Sequence, residues 1–486
     1  MHAFFQNYWP HILAALSLVL GLGAAIHATM TKQEVRTAIG WVGIIMLSPI
    51  LGAVIYCLFG INRMHNNVVY EKHRHARGKG RVHAVDYDCT DNYILQRFGR
   101  LAMPMKRLGD HVSLGRMTYG NHLQVFDSGD EAYTAMLEAI DTARHSLILE
   151  CYIFDRDGMG ELFVDALANA VGRGVEVRVL IDAVGARYSI PSIVHDLRRK
   201  NVPVAVFNGN IIIGLRLPYA NLRTHRKILV VDGSFAFTGG MNIRAGFSQT
   251  LSGETAANDT HFRVEGPAVA DLFSVAANDW CFATGENLDT KKWAIPVMAK
   301  TNDEGICIRV VPTGPDRLIE TNQRMLIGAF SLAEKHIRIM TPYLLPDREL
   351  ISALVTAARR GVEVDIVVPG NNNLKLVDRA MRAQFDQLLC DGCRIWRANG
   401  PFNHSKLMAI DDRWSYVGSS NLDARSLRLN FEIDMEIFDD ALARRLSQKI
   451  IGERENSREV MMKDLVSRPF PSRLIDRIIW LGSPYL

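Results

Sequence analysis

The hydrophobic pattern divides the chain into an apolar N-terminal part and a longer mixed part. Residues 9–26 are almost wholly apolar, and residues 38–59 contain no charged residue. Each run is long enough to cross a bilayer of about 30 Å as a helix. The sequence therefore predicts two transmembrane helices within residues 1–62. A cleaved signal peptide is the alternative for the first run, although no Lys or Arg precedes it.

Basic residues are distributed unevenly around these runs. The loop between them carries only Lys32 and Arg36, whereas the second run is followed by Arg63, Lys72, Arg74, Arg77, Lys79 and Arg81. The positive-inside rule therefore predicts that both termini lie in the cytoplasm. We assign residues 63–125 to a basic juxtamembrane segment and linker near anionic headgroups. Metal binding is the alternative suggested by His65, His73, His75 and His83.

Further along the chain, apolar strands alternate with helical stretches, and this alternation occurs twice. Ser146–Phe154 and His336–Leu344 are apolar runs that end at a polar turn. A helical stretch follows each run, and then a second strand with a similar sequence, GRGVEVRVLID from Gly172 and RRGVEVDIVVP from Arg359. The pattern predicts two α/β lobes with mostly parallel strands. We place the lobes at residues 126–295 and 296–486.

Each lobe contains one copy of a short motif, in which His, one residue, Lys, four residues and Asp are followed by a Gly-x-x-Asn turn. The copies are His225, Lys227, Asp232, Gly239 and Asn242, and His404, Lys406, Asp411, Gly418 and Asn421. The apolar residues between each Lys and Asp predict a buried strand. His and Lys at positions i and i+2 of an extended chain project to the same side. Two copies with the same spacing predict one paired site.

The residue types in this motif suit phosphoryl transfer. One imidazole can attack phosphorus and leave again, while a second protonates the departing alkoxide and later deprotonates an incoming alcohol. The candidate donors to the phosphate oxygens are Lys227, Lys406, Asn242, Asn421, Ser419 and Ser420. We count Asp232 and Asp411 with the catalytic motif, although their place at strand ends favours a bracing role. We expect neither a metal nor a cofactor, because no cluster has convincing metal-ligand spacing.

With these motifs the chain resembles the phospholipase D superfamily and, within it, the family of bacterial cardiolipin synthases. The resemblance covers the N-terminal apolar pair, both motif copies, the stretch GSSNLDARSLRLNFEID from Gly418 to Asp434, and the hydrophobic C-terminal tail. It implies an α/β fold of two pseudo-symmetric lobes, each a mixed sheet flanked by helices, that meet at the two motifs. A transmembrane helical hairpin is expected to precede the lobes.

The resemblance also implies roles for individual residues. The first-copy histidine is the more usual nucleophile, so His225 is expected to form a phosphohistidine while His404 acts as acid and then base. The reverse order stays open. A carboxylate should fix the tautomer of each imidazole. Glu432 matches the family position for the partner of His404, and Asp259 is the analogous candidate for His225.

The function implied by the resemblance is reversible phosphatidyl transfer between two phosphatidylglycerol molecules, giving cardiolipin and glycerol. The expected location is the bacterial inner membrane, with the catalytic body in the cytoplasm. A phospholipase D that uses water, or a transferase that uses another phospholipid or alcohol, carries the same motifs. A formal charge of only +4 argues against nucleic-acid substrates. A non-enzymatic scaffold is disfavoured because neither copy has lost its His, Lys or Asp. The oligomeric state stays open.

Three remaining features have structural and functional interpretations. The seven cysteines are scattered, as in reduced cytoplasmic proteins, and we assign the Cys390 and Cys393 pair to packing. Residues 473–481 form an amphipathic helix that either lies on the membrane or packs on the body. The strand-end residues Tyr152, Phe154, Pro342 and Tyr343 either belong to the core or line an acyl-chain entrance.

Overall fold

The computed structural model describes residues 2–32, 34–60, 85–100, 102–208, 222–288, 293, 305–315 and 318–483. The internal contacts divide the chain into residues 1–67 and residues 68–486, and each unit is described by itself. The basic residues and histidines named above between positions 63 and 83 lie outside the described residues, so the predicted juxtamembrane role and its metal-binding alternative remain predictions.

The N-terminal unit is a helical hairpin with a broken second arm. Helix α1 (His2–Thr31) packs against α2 (Val35–Leu47) and α3 (Pro49–Ile55), and a π-helical turn (Tyr56–Gly60) follows. Within the described residues, Tyr8–Thr31 is long and apolar enough to cross a membrane, whereas the later helices are shorter. The prediction of one continuous second span is therefore wrong. Ser48 leaves the helical conformation, and Pro49 lacks the N–H that a continuous helix needs.

The second unit contains the strands and most of the helices. Its strands are β1 (Thr118–Phe126), β2 (Ser146–Cys151), β3 (Glu176–Asp182), β4 (Val204–Phe207), β5 (Arg223–Thr224), β6 (Ile228–Val231), β7 (Phe235–Gly239), β8 (His261–Glu265), β9 (Ile306–Thr313), β10 (His336–Met340), β11 (Leu344–Leu345), β12 (Glu363–Pro369), β13 (Arg394–Ala398), β14 (Leu407–Ile410), β15 (Trp414–Gly418), β16 (Leu422–Asp423), β17 (Asn430–Phe438) and β18 (Ser457–Glu459).

Its α-helices are α4 (Asp91–Phe98), α5 (Ala102–Val112), α6 (Gly129–Thr142), α7 (Gly158–Gly172), α8 (Ile193–Arg199), α9 (Gln249–Ser252), α10 (Ala268–Thr284), α11 (Thr321–Leu332), α12 (Arg348–Arg359), α13 (Lys375–Gln384), α14 (Asp386–Leu389), α15 (Ala424–Arg428), α16 (Asp440–Glu455), α17 (Met462–Val466) and α18 (Phe470–Leu481). Short 3-10 turns lie at Val85–Tyr87, Gly185–Arg187, Ala245–Phe247 and Gly253–Thr255.

One sheet runs through both lobes and has a mirrored strand order. The order is β18-β13-β12-β10-β14-β15-β17-β9-β1-β8-β7-β6-β2-β3-β4, and β5 pairs with β17. Read outward from the central antiparallel pair of β1 and β9, the two halves have equivalent strands in the same sequence. The predicted pair of pseudo-symmetric lobes is therefore confirmed. Its pseudo-twofold axis passes between β1 and β9.

The expectation of mostly parallel strands is wrong for the inner part of each lobe. The long parallel pairs lie in the outer part of each lobe, where β2 pairs with β3 and β3 with β4, and where β10 pairs with β12 and β12 with β13. The inner strands pair antiparallel because β6 and β7, like β14 and β15, are joined by tight turns that reverse the chain. These turns follow Asp232 and Asp411, which adopt positive φ angles of 50° and 53°.

The first lobe begins earlier than the predicted boundary at residue 126. Strand β1 starts at Thr118 and pairs with β8 of the first lobe and with β9 of the second. Helices α4 and α5 also do not form a linker, since Ile94 and Met105 are buried in the core of the second lobe. The apolar faces of these helices account for this placement, because burial removes that surface from water.

The motif strands fix the position of the site within the sheet. His225 precedes β6 and Asp232 follows it, and β6 runs antiparallel to β2. His225 therefore lies at the edge where the parallel strands β2 and β3 end. The same arrangement of β14 against β10 places His404 at the equivalent edge of the second lobe. We name this the histidine edge, and we name the opposite edge, which carries Asp232 and Asp411, the aspartate edge.

Helices after the parallel strands begin at this histidine edge. Asp157 caps α7 by accepting a hydrogen bond from the Gly160 amide at 3.0 Å, and Asp347 caps α12 through the Leu350 amide at 3.1 Å. Such caps satisfy amides that have no partner inside the helix. In the first lobe, α10 covers one face of the sheet while α6 and α7 help to form the core on the other face, so every residue of β2 is buried.

Candidate active site

The two motif histidines lie at the interface between the lobes, and each is tied to the opposite lobe. Strand β5, which precedes His225, pairs in parallel with β17 of the second lobe, and the His225 amide donates to the Phe431 carbonyl at 2.8 Å. In the other direction, the His404 amide donates to the Asn258 carbonyl at 2.7 Å. Both imidazoles are buried, with exposed fractions of 8% and 7% for the two residues.

The carboxylate partners are exchanged relative to the predicted pairing. His225 Nδ1 lies 2.9 Å from Glu432 Oε2, and His404 Nδ1 lies 2.8 Å from Asp259 Oδ2. The prediction that Glu432 serves His404 and Asp259 serves His225 is therefore wrong. The physical reason is the crossing of the backbone, because each histidine pairs with the residue just before the carboxylate of the other lobe.

The exchanged pairing sets the state of both imidazoles. A carboxylate only accepts hydrogen bonds, so each Nδ1 donates and each Nε2 carries the lone pair. Burial lowers the pKa of His225 well below its ordinary value and lowers the pKa of His404 to about 3. The nearby lysines add to both shifts. Both imidazoles are therefore neutral at neutral pH, which is the state in which an imidazole nitrogen can act as a nucleophile.

The two carboxylates have different surroundings. Glu432 accepts a second hydrogen bond from the Ser419 hydroxyl at 2.6 Å, and burial raises its pKa. Burial also opposes ionisation of Asp259, but the hydrogen bond from His404 and the charge of Lys406 outweigh it and lower the pKa of Asp259. Gly240 occupies the place in the first lobe that Ser419 has in the second. A Cβ atom there would lie 2.8 Å from both Asp259 carboxylate oxygens.

The two motif lysines are held beside the histidines by main-chain carbonyls. Lys227 Nζ donates to the His225 carbonyl at 2.6 Å, and Lys406 Nζ donates to the His404 carbonyl at 2.5 Å. Lys406 Nζ also lies 3.1 Å from both ring nitrogens of His404. Burial lowers the pKa of Lys227 to about 8 and that of Lys406 to about 7. An anion in the site would favour the charged form of both lysines.

Several predicted phosphate donors have other partners. The Asn242 amide oxygen accepts from the Ile153 amide at 3.0 Å and braces the loop after β2. The Ser419 hydroxyl serves Glu432, and the Ser420 hydroxyl bonds Asp434. The amide group of Asn421 lies 3.3 Å from the Ser426 hydroxyl. The structure thus gives Asn242, Ser419 and Ser420 a supporting function around the two histidines.

Asp232 and Asp411 lie away from the histidines and close the far ends of the motif strands. Asp232 accepts hydrogen bonds from three consecutive amides, those of Arg144, His145 and Ser146, at 2.7–2.9 Å. Asp411 accepts equivalent bonds from Glu334, Lys335 and His336 at 2.7–2.9 Å. Seven residues of extended chain separate each Asp from its His by about 20 Å. These hydrogen bonds support the bracing interpretation, and the structure does not bring either Asp to the histidines, so a part for them in the chemistry stays a prediction.

The surroundings of the two histidines break the pseudo-symmetry. The Tyr152 ring lies 5.0 Å from the His225 ring, whereas His404 is surrounded by Phe247, Phe402 and Tyr343 at 5.7, 5.8 and 6.4 Å between ring centroids. Of the strand-end residues named above, Tyr152 and Tyr343 reach the site. Phe154 and Pro342 are buried, and Phe154 packs against Phe163 in the core of the first lobe.

Sequence reasoning missed Arg226, the residue between His225 and Lys227. Its Nε donates to the Glu432 carbonyl at 2.9 Å, and its Nη2 donates to the Thr313 carbonyl at 3.0 Å. A buried ion pair with Asp279 of α10 holds the other end of the guanidinium. Arg226 thus fixes the backbone of the carboxylate that serves His225. The available signal was a large basic residue where the second copy has Ser405.

Among the residues that the structure describes, no three His, Cys, Asp or Glu side chains come together in a way that could hold a metal ion. Cys390 is exposed and Cys393 is buried, and both are free thiols. Burial raises the pKa of the Cys393 thiol to about 12, which suits the packing role assigned from the sequence.

Comparison with known proteins agrees with this architecture. A family model described as "Cardiolipin synthase, PLD-like domain" matches residues 136–265 and 326–452, one segment in each lobe. The cardiolipin synthase of Alkalihalophilus pseudofirmus is 30% identical over 99% of this chain and 95% of that protein. Cardiolipin synthase A of Serratia proteamaculans is 29% identical over 96% of each chain.

A solved structure shares the fold at low sequence identity. The phosphatidylserine synthase of Haemophilus influenzae superimposes with a TM-score of 0.57 at 17% identity, over 79% of this chain and 100% of that one. The family model covers both lobes, and the relatives match almost the whole length of the chain. The chain therefore belongs to the cardiolipin synthase family of phospholipase D-like proteins.

Proposed function

We propose that this protein is a phosphatidyltransferase that joins two phosphatidylglycerol molecules into cardiolipin and releases glycerol. The observation that carries the proposal is the pair of buried histidines at the lobe interface, each with its own carboxylate and lysine. Two imidazoles provide a nucleophile and an acid–base group, and two lysines provide positive charge for the phosphate oxygens. Membership of the family supports phosphatidylglycerol as the substrate.

In the proposed first step, His225 Nε2 attacks the phosphorus of one phosphatidylglycerol. A phosphorus–nitrogen bond forms while the bond from phosphorus to the glycerol oxygen breaks, and His404 gives its proton to that oxygen. The negative phosphate raises the pKa of the neighbouring imidazole, so His404 takes up a proton from solvent at Nε2 when the lipid binds, and this is the proton that it gives. In the second step His404 takes a proton from a glycerol hydroxyl of the second lipid, whose oxygen displaces His225 from phosphorus.

The surrounding residues support these two steps. Glu432 orients His225 and stabilises the positive charge of the phosphohistidine, while Asp259 does the same for protonated His404. Lys227 and Lys406 neutralise the phosphate oxygens, and Ser419 and Asn242 hold the supporting groups in place. Rapid denaturation during turnover at mildly alkaline pH, where a phosphorus–nitrogen bond to histidine survives, should trap labelled phosphatidyl on His225. Label on His404 would reverse the order of the two histidines.

We also propose that the protein crosses the bacterial inner membrane with its catalytic body in the cytoplasm. The distribution of Lys and Arg around the apolar runs supports this orientation. A C-terminal reporter that is active only in the cytoplasm should be active in the full-length fusion. Activity of a reporter specific for the periplasm at the same position would contradict the proposal.

The test of the reaction uses purified full-length protein in vesicles that contain phosphatidylglycerol as the only lipid. We expect cardiolipin and glycerol in equal amounts, with activity largely retained in EDTA. Phosphatidic acid with glycerol would show instead that water is the acceptor. His225→Ala and His404→Ala should each abolish transfer in a folded protein, and full activity of either variant would contradict the paired mechanism.

A further inference from the structure

Exposed apolar side chains gather at the histidine edge of the catalytic unit. Tyr188 and Ile190 follow β3, and Leu374 and Leu376 follow β12, so both pairs come after equivalent parallel strands of the two lobes. Ile190 is 95% exposed and Leu376 is 56% exposed. Leu162 in the first turns of α7 is also exposed, as is Leu251, whose side chain packs over Gly158 at the start of that helix. We name these six residues the apolar rim.

The rim is connected to the site. Tyr343, which lies beside His404, donates a hydrogen bond to the Asn373 side chain at 2.9 Å, and Asn373 directly precedes Leu374. In the first lobe, Tyr188 and Ile190 flank Ser189, which bonds Asp155 in the loop after β2, the strand that ends next to Tyr152. The rim is therefore joined by short contacts to residues that lie beside the two histidines.

The C-terminal helix α18 adds a second apolar surface next to the rim. Asp476 is buried and pairs with Arg379 of α13 at 2.6 Å and with Arg468, while Ile479 and Trp480 pack against the core of the second lobe. The helix thus packs on the body through one face. Its other face exposes a stripe of Phe470, Leu474, Ile475, Ile478 and Leu481. Arg379 lies about one turn from Leu376, so the stripe lies near the rim.

Positive charges accompany this apolar surface. Arg187 and Lys375 lie next to Tyr188 and Leu376, and Arg473 and Arg477 lie on α18. All four residues are exposed. Contiguous apolar patches of this kind are rare on a surface that meets only water. Apolar side chains mixed with Lys and Arg are typical of surfaces that enter the headgroup region of an anionic bilayer.

We propose that the apolar rim and the α18 stripe form a docking surface that rests on an anionic bilayer. The surface holds the histidine edge against the membrane, so a lipid headgroup reaches His225 and His404 while its acyl chains stay in the bilayer. This inference rests on the proposed function and names the surface through which the lipid enters. The occupant is the bilayer that contains the substrate.

The first test compares two forms of the same substrate with the full-length protein. One rate is measured in phosphatidylglycerol bilayers and the other on dihexanoyl phosphatidylglycerol below its micelle concentration. The variants are the double substitutions Ile190→Asp with Leu376→Asp, and Leu474→Asp with Ile478→Asp. The matched control is Leu95→Asp in α4, which is 40% exposed and belongs to a helix that borders the aspartate edge.

We expect the ratio of the bilayer rate to the monomer rate to fall at least tenfold in both double variants and to stay unchanged in the control. Equal losses on both substrates would mean that the rim only supports the fold, and this result would overturn the proposal. An unchanged ratio in both double variants would overturn it as well.

A second measurement stands independently of the reaction. A fluorophore is attached to Ile190→Cys, Leu376→Cys or Leu95→Cys in a full-length chain whose exposed Cys57 and Cys390 are replaced by Ser. In bilayers with nitroxide-labelled lipids, quenching should occur at positions 190 and 376 and not at 95. Absence of quenching at both rim positions would overturn the proposed docking surface. This outcome includes the case in which a second copy of the chain covers the rim. If docking is seen but no cardiolipin forms, the proposed function alone has failed.

Discussion

Each histidine depends on a carboxylate from the other lobe, so coupling between these residues should cross the interface. We expect Glu432→Gln and His225→Ala to interact by about 1–3 kcal/mol in a double-mutant cycle for unfolding, because their hydrogen bond is buried. Asp259→Asn should couple in the same way to His404→Ala. Each carboxylate variant should also lower the transfer rate by about 10²–10⁴-fold.

The matched control combines each carboxylate variant with the histidine of the other pair. Glu432→Gln combined with His404→Ala should show an interaction below about 0.5 kcal/mol in unfolding by denaturant, measured in detergent. A larger interaction in this combination than between Glu432 and His225 would contradict the exchanged pairing and support the pairing within each lobe.

The two lysines make anion binding depend on protons. Burial lowers the pKa of Lys406 to about 7 and that of Lys227 to about 8, so without a bound anion the two lysines carry less than their full charge at pH 8. A bound phosphodiester raises both pKa values. We expect glycerophosphoglycerol, whose own charge is constant near pH 8, to bind with uptake of up to about one proton. Calorimetry in buffers of different ionisation enthalpy measures this number.

The same pKa shifts determine how the free energy of unfolding depends on pH. The unfolded chain binds more protons than the folded one between about pH 7 and the model-peptide range near 10.5, so the contribution of these lysines to stability rises with pH there. Lys406→Met should remove most of the proton uptake on ligand binding at pH 8. Undiminished uptake in that variant would assign the proton to another group.

At the level of elements, the short segments around the motifs hold the lobes together. Arg226 bonds two carbonyls across the interface, whereas Ser405 at the equivalent place contributes one hydroxyl contact, 3.0 Å from Thr260 Oγ1. Arg226→Lys keeps the charge but loses the planar fork, so the free energy of unfolding should fall by about 2–4 kcal/mol. Ser405→Ala should cost about 1 kcal/mol. Equal effects in chemical denaturation would contradict the role of Arg226.

At the aspartate edge we expect substitutions to affect stability rather than activity. Asp411→Asn keeps a residue type that tolerates positive φ but loses one of the two carboxylate oxygens that accept three amides. We expect a loss of about 1–3 kcal/mol in stability, with transfer activity retained by the folded protein. Asp412→Asn is the control, because Asp412 has a positive φ and only long surface ion pairs. Loss of activity without loss of stability would place Asp411 in the chemistry.

The helices, the strands and the paired histidines could be predicted from the sequence, whereas the direction of the inner strands and the pairing of each histidine with its carboxylate could not. Repeated motif spacing predicted two lobes and one paired site, because strand and helix periodicity are local properties. The antiparallel inner strands and the exchange of Glu432 and Asp259 depend on how β5 crosses to β17, which no local pattern specifies. The break in the second apolar run did have a local signal, because Pro49 lacks the N–H of a continuous helix. The prediction of a continuous span gave more weight to the apolar composition of the run.

At the scale of the whole molecule, one sheet passes through both lobes and the catalytic residues come from both. The central contacts of β9 with β1 and with β17 join the halves directly. Neither lobe contains a complete histidine–carboxylate pair by itself. We therefore expect the catalytic unit to unfold as a single cooperative unit rather than lobe by lobe.

The N-terminal unit should contribute attachment to the membrane rather than chemistry. Its internal contacts separate it from the catalytic unit, and both histidines with their partners lie in the latter. Removal of residues 1–62 should therefore lower the rate on bilayer phosphatidylglycerol by more than tenfold, because the local concentration of the lipid falls. The rate on dihexanoyl phosphatidylglycerol should stay within about threefold of the full-length value.

The shortened chain should still bind anionic vesicles in sedimentation assays, and added salt should release it, because the cationic residues of the docking surface remain. Complete loss of the monomer rate in a folded, shortened protein would show that the N-terminal helices take part in the site.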